Sequence, residues 1–253
     1  MKRLLTLISL LLTAVHLHAG SNDKGRATYD IGFEMNFDNR EYYKSDFSTS
    51  MTIFAARLTP SIGLALGKEH KVMVGVDAVK DFGSGKDNVR GETLIYYSLD
   101  KQINDTGLEL YAGIFPWKAS EGTYSQAFFS DSLRFYDSNL EGLLLKFHRP
   151  KAYFELGCDW MGQYGDNRRE RFMVFSSGEG KVAPCLSLGY DGYMYHFASS
   201  EQVKGVVDNI LLNPYVSLDL GDRIGPHTFS VRLGWLQALQ NDRRNVGRYV
   251  QYL

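Results

Sequence analysis

His196 and Ser199 lie three residues apart in "YMYHFASS", and they are the first pair in this chain to suggest nucleophilic catalysis. A serine attacks well only when a base within hydrogen-bond reach takes its proton. Nothing in the spacing brings this pair into reach, so no catalytic residue is assigned from it. His70, His148 and His227 fall at tight turns, where a solvated imidazole is the ordinary expectation. No Cys/His cluster has zinc spacing and no glycine-rich loop precedes a helix, so neither metal nor cofactor is expected. The clusters "GDNRRER" (165–171) and "NDRRN" (241–245) are short and mixed in charge. Solvated loop charge is the simpler reading of them, and contact with anionic lipopolysaccharide is the other.

The elements that would hold these residues are strands. In "YDIGFEMNF", Tyr29, Ile31, Phe33, Met35 and Phe37 alternate with Asp30, Gly32, Glu34 and Asn36. Period-two alternation puts one apolar and one polar face on a strand. The pattern returns with Phe54, Ala56 and Leu58 against Arg57, and with Val72, Val74 and Val76 against Lys71 and Asp77. Further strands are expected near 90–101, 107–116, 139–148, 151–163, 169–177, 182–198, 210–221 and 227–239, with "VGRYVQYL" as a twelfth. No helix has convincing caps and period, although part of 199–210 could form a turn of one.

Residues 1–20 carry Lys2 and Arg3, an apolar stretch from Leu4 to Val15, and the small-residue site His18-Ala19-Gly20. That three-part pattern predicts a secretory signal peptide, leaving 21–253 as one domain. With Lys2 and Arg3 gone the net charge is about −3, from 28 basic and 29 acidic residues in the full chain. No basic stripe points to nucleic acid. No later apolar run is long enough for a membrane helix, so only a closed barrel would place this chain in a bilayer. Cys158 and Cys185 are expected as free thiols, because in phase they fall on opposite faces.

The connections separate a barrel from a soluble sandwich. Tight ones are expected at 67–70, 103–107, 148–151, 177–181 and 221–226, and mostly longer ones at 38–49, 83–89, 117–138, 164–168, 199–209 and 240–245, with 164–168, as short as a turn, the exception. Short turns at one rim and long loops at the other is the plan of outer-membrane barrels. On these features the chain resembles porin-like outer-membrane β-barrel proteins of Gram-negative bacteria, and "AFFSDSLRFYDSNLEGLLLKF" looks like a stretch of uncharacterised members. The resemblance implies an all-β, antiparallel, up-and-down transmembrane barrel of about 12 strands. It also implies an outer-membrane location, contact with membrane lipid and lipopolysaccharide, and insertion by barrel-assembly machinery. A homo-oligomer is compatible with it. Such barrels usually end on an aromatic residue, whereas here Tyr252 is one place early. Either that signal is imperfect or more strands follow.

In phase, the polar faces collect Asp30, Glu34, Arg57, Lys71, Asp77, Glu109, Glu155, Asp159, Asp191, Asp219 and Arg232. These are the expected pore-lining residues. The loop 117–138 is unusually aromatic, and Tyr124, Phe128, Phe129, Asp131, Arg134 and Tyr136, with Asp137, are expected to narrow the mouth. The leading expectation is a passive, non-enzymatic channel for small polar solutes, sugars among them. A plugged barrel acting through its loops is the alternative, followed by a phospholipase-like enzyme. That last comparison is weakened at His196, because the phospholipase pattern has a spacing of two followed by Asn-Gly. A soluble carbohydrate-binding sandwich comes last.

Overall fold

A computed structural model describes residues 25–46, 49–85, 89–202, 204–221 and 229–252. The expected signal peptide, His227 and most of the 221–226 turn lie outside the described residues. The chain is an antiparallel meander in which each strand from β1 to β10 pairs with the next. The strands are β1 (Arg26–Arg40), β2 (Met51–Leu66), β3 (His70–Asp81), β4 (Arg90–Ile103), β5 (Thr106–Pro116), β6 (Asn139–Arg149), β7 (Ala152–Gly162), β8 (Arg171–Ala183), β9 (Leu186–Phe197), β10 (Val207–Asp219), β11 (Ser230–Gly234), β12 (Gln237–Asp242) and β13 (Val250–Tyr252). The pieces β11 and β12 both pair with β10 and share one strand position. This accounts for the expected twelve strand positions from thirteen segments. Among the described residues no pairing joins β1 to the last strands.

The sheet curls so that its polar side encloses the loop 117–138. Both ends of the meander reach that loop: Lys118 Nζ lies 3.0 Å from Asp30 on β1, and Arg232 on β11 donates to Thr123 at 2.8 Å. The opposite side is an apolar belt in which Ile31, Phe33, Ile62, Leu143 and Leu188 all stand exposed. Exposed apolar surface on this scale marks a lipid or partner contact.

Two expectations need correction. Residues 177–181 do not turn, because β8 runs on to Ala183 and the turn follows it. Gly178 and Gly180 pair with Phe154 and Ala152 instead. A Cβ on Gly178 would lie 3.3 Å from the Tyr190 ring, so this glycine serves close packing. Second, a helix does form, at α1 (Asp131–Tyr136), inside the loop rather than within 199–210. Cys158 and Cys185 are both free.

Candidate functional site

The loop leaves β5 through a 3-10 turn at Trp117–Ala119 and descends into the interior. Its anchor is Glu155, which is fully buried. Glu155 accepts from Ser120 Oγ at 2.7 Å, the Glu121 N–H at 2.7 Å, the Gly122 N–H at 3.1 Å and the Tyr124 hydroxyl at 3.0 Å. Four donors satisfy a carboxylate that burial alone would make expensive. Gly122 is required by that approach, because a Cβ there would lie 2.6 Å from Glu155 Oε1 and 2.5 Å from the Tyr124 ring. One residue before it, Glu121 Oε2 lies 2.8 Å from His148 Nδ1, and His148 Nε2 lies 2.8 Å from Glu109. His148 is therefore not a solvated turn residue. It ties the bottom of the loop to the short-turn end of the wall.

From there the loop rises on aromatics. Tyr124, Phe128 and Phe129 pack with Phe115, Leu140, Leu144, Met173 and Phe175 in one buried cluster. The Trp117 ring lies 4.9 Å from Phe175 and 5.0 Å from Phe129. Helix α1 completes the ascent. Ser130 caps it by accepting from the Leu133 N–H, with Asp131 in the first turn and Arg134 in the last, as the helix dipole favours. Six residues are too few to hold a helix alone, so tertiary contacts hold it. Phe135 is buried against Ala55 and Val79, and Tyr136 donates to Asp81 at 2.6 Å. Arg134 also donates to the Tyr124 carbonyl, and Gln126 to Asp131. The Trp117 N–H donates to the Ser138 carbonyl at 2.8 Å and closes the loop.

The predicted lining residues take their places around this insert. Arg57, Asp77, Glu155, Asp159 and Asp191 are buried, whereas Asp30, Glu34, Lys71, Asp219 and Arg232 are exposed. Asp191 accepts from Ser177 at 2.9 Å, and Lys146 pairs with Glu109 at 3.1 Å. Arg232 lies 3.3 Å from Glu179. Asp30 and Glu34 sit on the exposed strand β1, Lys71 and Asp219 towards the short-turn end. The loop residues Tyr124, Phe128, Phe129, Asp131, Arg134 and Tyr136 belong to a plug rather than to a constriction at the mouth.

A cavity of about 580 Å³ lies between α1 and the wall of β1–β3 and β7–β8. Its apolar side is Trp117, Phe129, Leu133, Met161 and Met173. Its polar side is Arg57, Asp77, Asp137, Ser138, Asn139 and Asp159. Asp77 is committed to structure: Arg57 Nε lies 3.1 Å from it, Ser138 donates at 2.7 Å and Asn139 at 2.9 Å. Asp159 accepts from the Glu141 N–H at 2.9 Å. Asp137 is held by its main chain, whose N–H donates to the Leu133 carbonyl at 2.7 Å, at the end of α1. Burial raises the Asp137 carboxyl above its ordinary pKa, with the nearby Glu92 charge adding to the shift and Arg171 opposing it. A carboxylate of raised pKa, a guanidinium and an apolar trough are the parts that water attack on a long-chain ester needs.

Ser138 and Asn139 went unnoticed in the sequence because they read as the last loop residue and the first strand residue. The inward-phase apolar set Phe115, Leu140, Leu144, Met173 and Phe175 was the available signal that something apolar fills the interior. His196 and Ser199 are not part of this cavity. His196 lies outside the wall, with Nδ1 2.6 Å from Asp208.

A family model described as lipid A 3'-O-deacylase-type matches residues 21–201, a span that holds β1 to β9 and the whole plug. No curated protein matches the chain. The match overturns the porin-like resemblance and, with it, the passive channel, solute transport and the absence of enzymatic activity. The physical reason is visible in the fold: an aromatic cluster and a buried carboxylate anchor occupy the space a channel needs for water. The outer-membrane location and contact with membrane lipid agree with both the family and the exposed apolar belt.

Proposed function

Because the chain belongs to the lipid A 3'-O-deacylase-type family, we propose that it hydrolyses the ester-linked acyl chain at the 3' position of lipid A, in the cavity beside α1. Water is the nucleophile, and Asp137 is the base that takes its proton as the oxygen attacks the ester carbonyl carbon. The guanidinium of Arg57 faces the oxyanion that develops. The carbon–oxygen bond to the sugar then breaks, and Asp137 returns the proton to the departing sugar oxygen. The products are a fatty acid and lipid A with a free 3'-hydroxyl. Trp117, Phe129, Met161 and Met173 take the acyl chain.

The observation that carries this reading is the cavity's composition on both sides of its wall. Its lining includes Phe33, which belongs to the lipid-facing side of β1, next to Gly32 and Glu34 of the interior side. An acyl chain held on the apolar side of the cavity lies beside the carboxylate and guanidinium of its polar side. Export by the N-terminal signal peptide belongs to the same proposal. The test is mass spectrometry of lipid A incubated with the refolded protein. Release of the 3'-linked acyl group, lost in Asp137→Asn, supports the reading; intact lipid A with correctly folded protein overturns it.

A further inference from the structure

A second arrangement of charged and aromatic side chains lies outside the wall, near the long-loop rim and on the opposite face of the wall from the cavity. Ladder pairing aligns Trp160, Phe172, His196 and Asp208 in one row across β7, β8, β9 and β10. The rings form a continuous shelf. Trp160 stacks on Phe172 at 5.3 Å with 10° between planes, and Phe172 on His196 at 4.7 Å with 27°. Beyond the shelf, Asp208 accepts from His196 Nδ1 at 2.6 Å and from Arg243 Nε at 2.7 Å.

Asp208 is only 1% exposed although its row faces outward, while the Arg243 side chain is 57% exposed. A carboxylate on a lipid-facing row is costly unless it is paired. Here it orients two cationic or donor groups by one edge each. With Nδ1 and Nε spent on Asp208, His196 Nε2 and the Arg243 terminal nitrogens point away from it. The rim around them is laced in place. Arg169 donates to the Ala198 carbonyl at 2.7 Å and the Gly205 carbonyl at 3.0 Å, and the Arg243 N–H to the Val206 carbonyl at 2.9 Å.

We infer that this corner binds the phosphate of an outer-leaflet lipid, separately from the hydrolytic cavity. The guanidinium fork matches phosphate oxygens, and Asp208 holds it in orientation without competing for its outer edge. The aromatic shelf sits where tail meets headgroup, so it takes the glycerol or sugar end of the acyl chains. The occupant is a phosphomonoester-bearing lipid rather than free phosphate, because the site opens sideways onto the apolar belt. This inference does not depend on ester hydrolysis.

The test uses a lipid the protein cannot hydrolyse: diether-linked phosphatidic acid, compared with the matching uncharged diether glycerol. Native mass spectrometry of the full-length refolded protein should show one retained phosphatidic acid and no preference for the uncharged lipid. Arg243→Gln and His196→Gln should each weaken retention, by about tenfold for the arginine. Equal retention by folded variants, or no preference in the wild-type protein, overturns the inference. If a variant does not fold, a photoactivatable phosphatidic acid on the wild-type protein decides. Crosslinks on β7–β10 or at 243–249 support the site, and crosslinks confined elsewhere remove it.

Discussion

The hydroxyl of Tyr124 donates to the Glu155 carboxylate at 3.0 Å, and through that bond a loop that starts at one rim is fixed deep inside the wall. Three more donors from Ser120, Glu121 and Gly122 converge on the same carboxylate. Glu155→Ala leaves several buried donors without an acceptor, each costing about 1–3 kcal/mol. The expected outcome is a lower thermal midpoint and rapid cleavage between Ser120 and Phe129 under limited proteolysis. An unchanged midpoint and an uncut loop would show that the plug does not depend on this anchor.

Packing carries the other half of the plug. Phe175 is fully buried, with Trp117 at 4.9 Å and Tyr124 at 6.1 Å. Phe175→Ala should cost about 3–5 kcal/mol in urea unfolding, because the cavity it leaves is lined on both sides. A change under about 1 kcal/mol, at the level of an ordinary surface site, would mean the loop repacks freely. Wild-type protein in a planar bilayer should give no steady conductance steps.

The strands were legible because one face meets an apolar phase and the other does not, so residues such as Tyr29 to Phe37 alternate without interruption. The interior was legible only as a list of charges. Asp77, Glu155 and Asp191 are buried, and their partners come from Ser138, from loop main-chain N–H groups and from Ser177. Main-chain donors leave no mark in a sequence. The loop aromatics were visible as an anomaly, but their depth depends on Glu121 meeting His148 across 27 residues of chain. His196 illustrates the converse. Its phase was right, and its meaning lay in Asp208, which pairs with it only through the β9–β10 register.

The role proposed for Asp137 predicts a characteristic pH dependence. The base works only when deprotonated, and its pKa lies above the ordinary value of 3.8 because of burial and then of Glu92. Activity should therefore rise with pH through a midpoint above 3.8 rather than at it. Removing the Glu92 charge lowers the Asp137 pKa, so Glu92→Gln should move the acid limb to lower pH while Asp137→Asn removes the activity. The profile is read from initial rates of fatty-acid release. A limb that Glu92→Gln leaves in place would assign the base elsewhere, with Asp159 on the same cavity as the next residue to change.

The apolar belt makes a prediction that separates a membrane wall from a soluble sheet. Leu143 is 55% exposed, on the side of β6 opposite the buried Leu144. An arginine facing lipid near the bilayer midplane costs about 2–4 kcal/mol, falling towards zero at the interfaces. Leu143→Arg should thus lower unfolding stability in lipid vesicles by that amount. At an exposed site in a water-soluble protein the same change would stay within about 0.5 kcal/mol. Urea titration of the refolded variant in vesicles, followed by tryptophan fluorescence and heat-modifiable migration, reads the difference. A cost of 2 kcal/mol or more puts β6 across the hydrocarbon. A negligible cost would move Leu143 out of the lipid and count against a membrane-spanning wall.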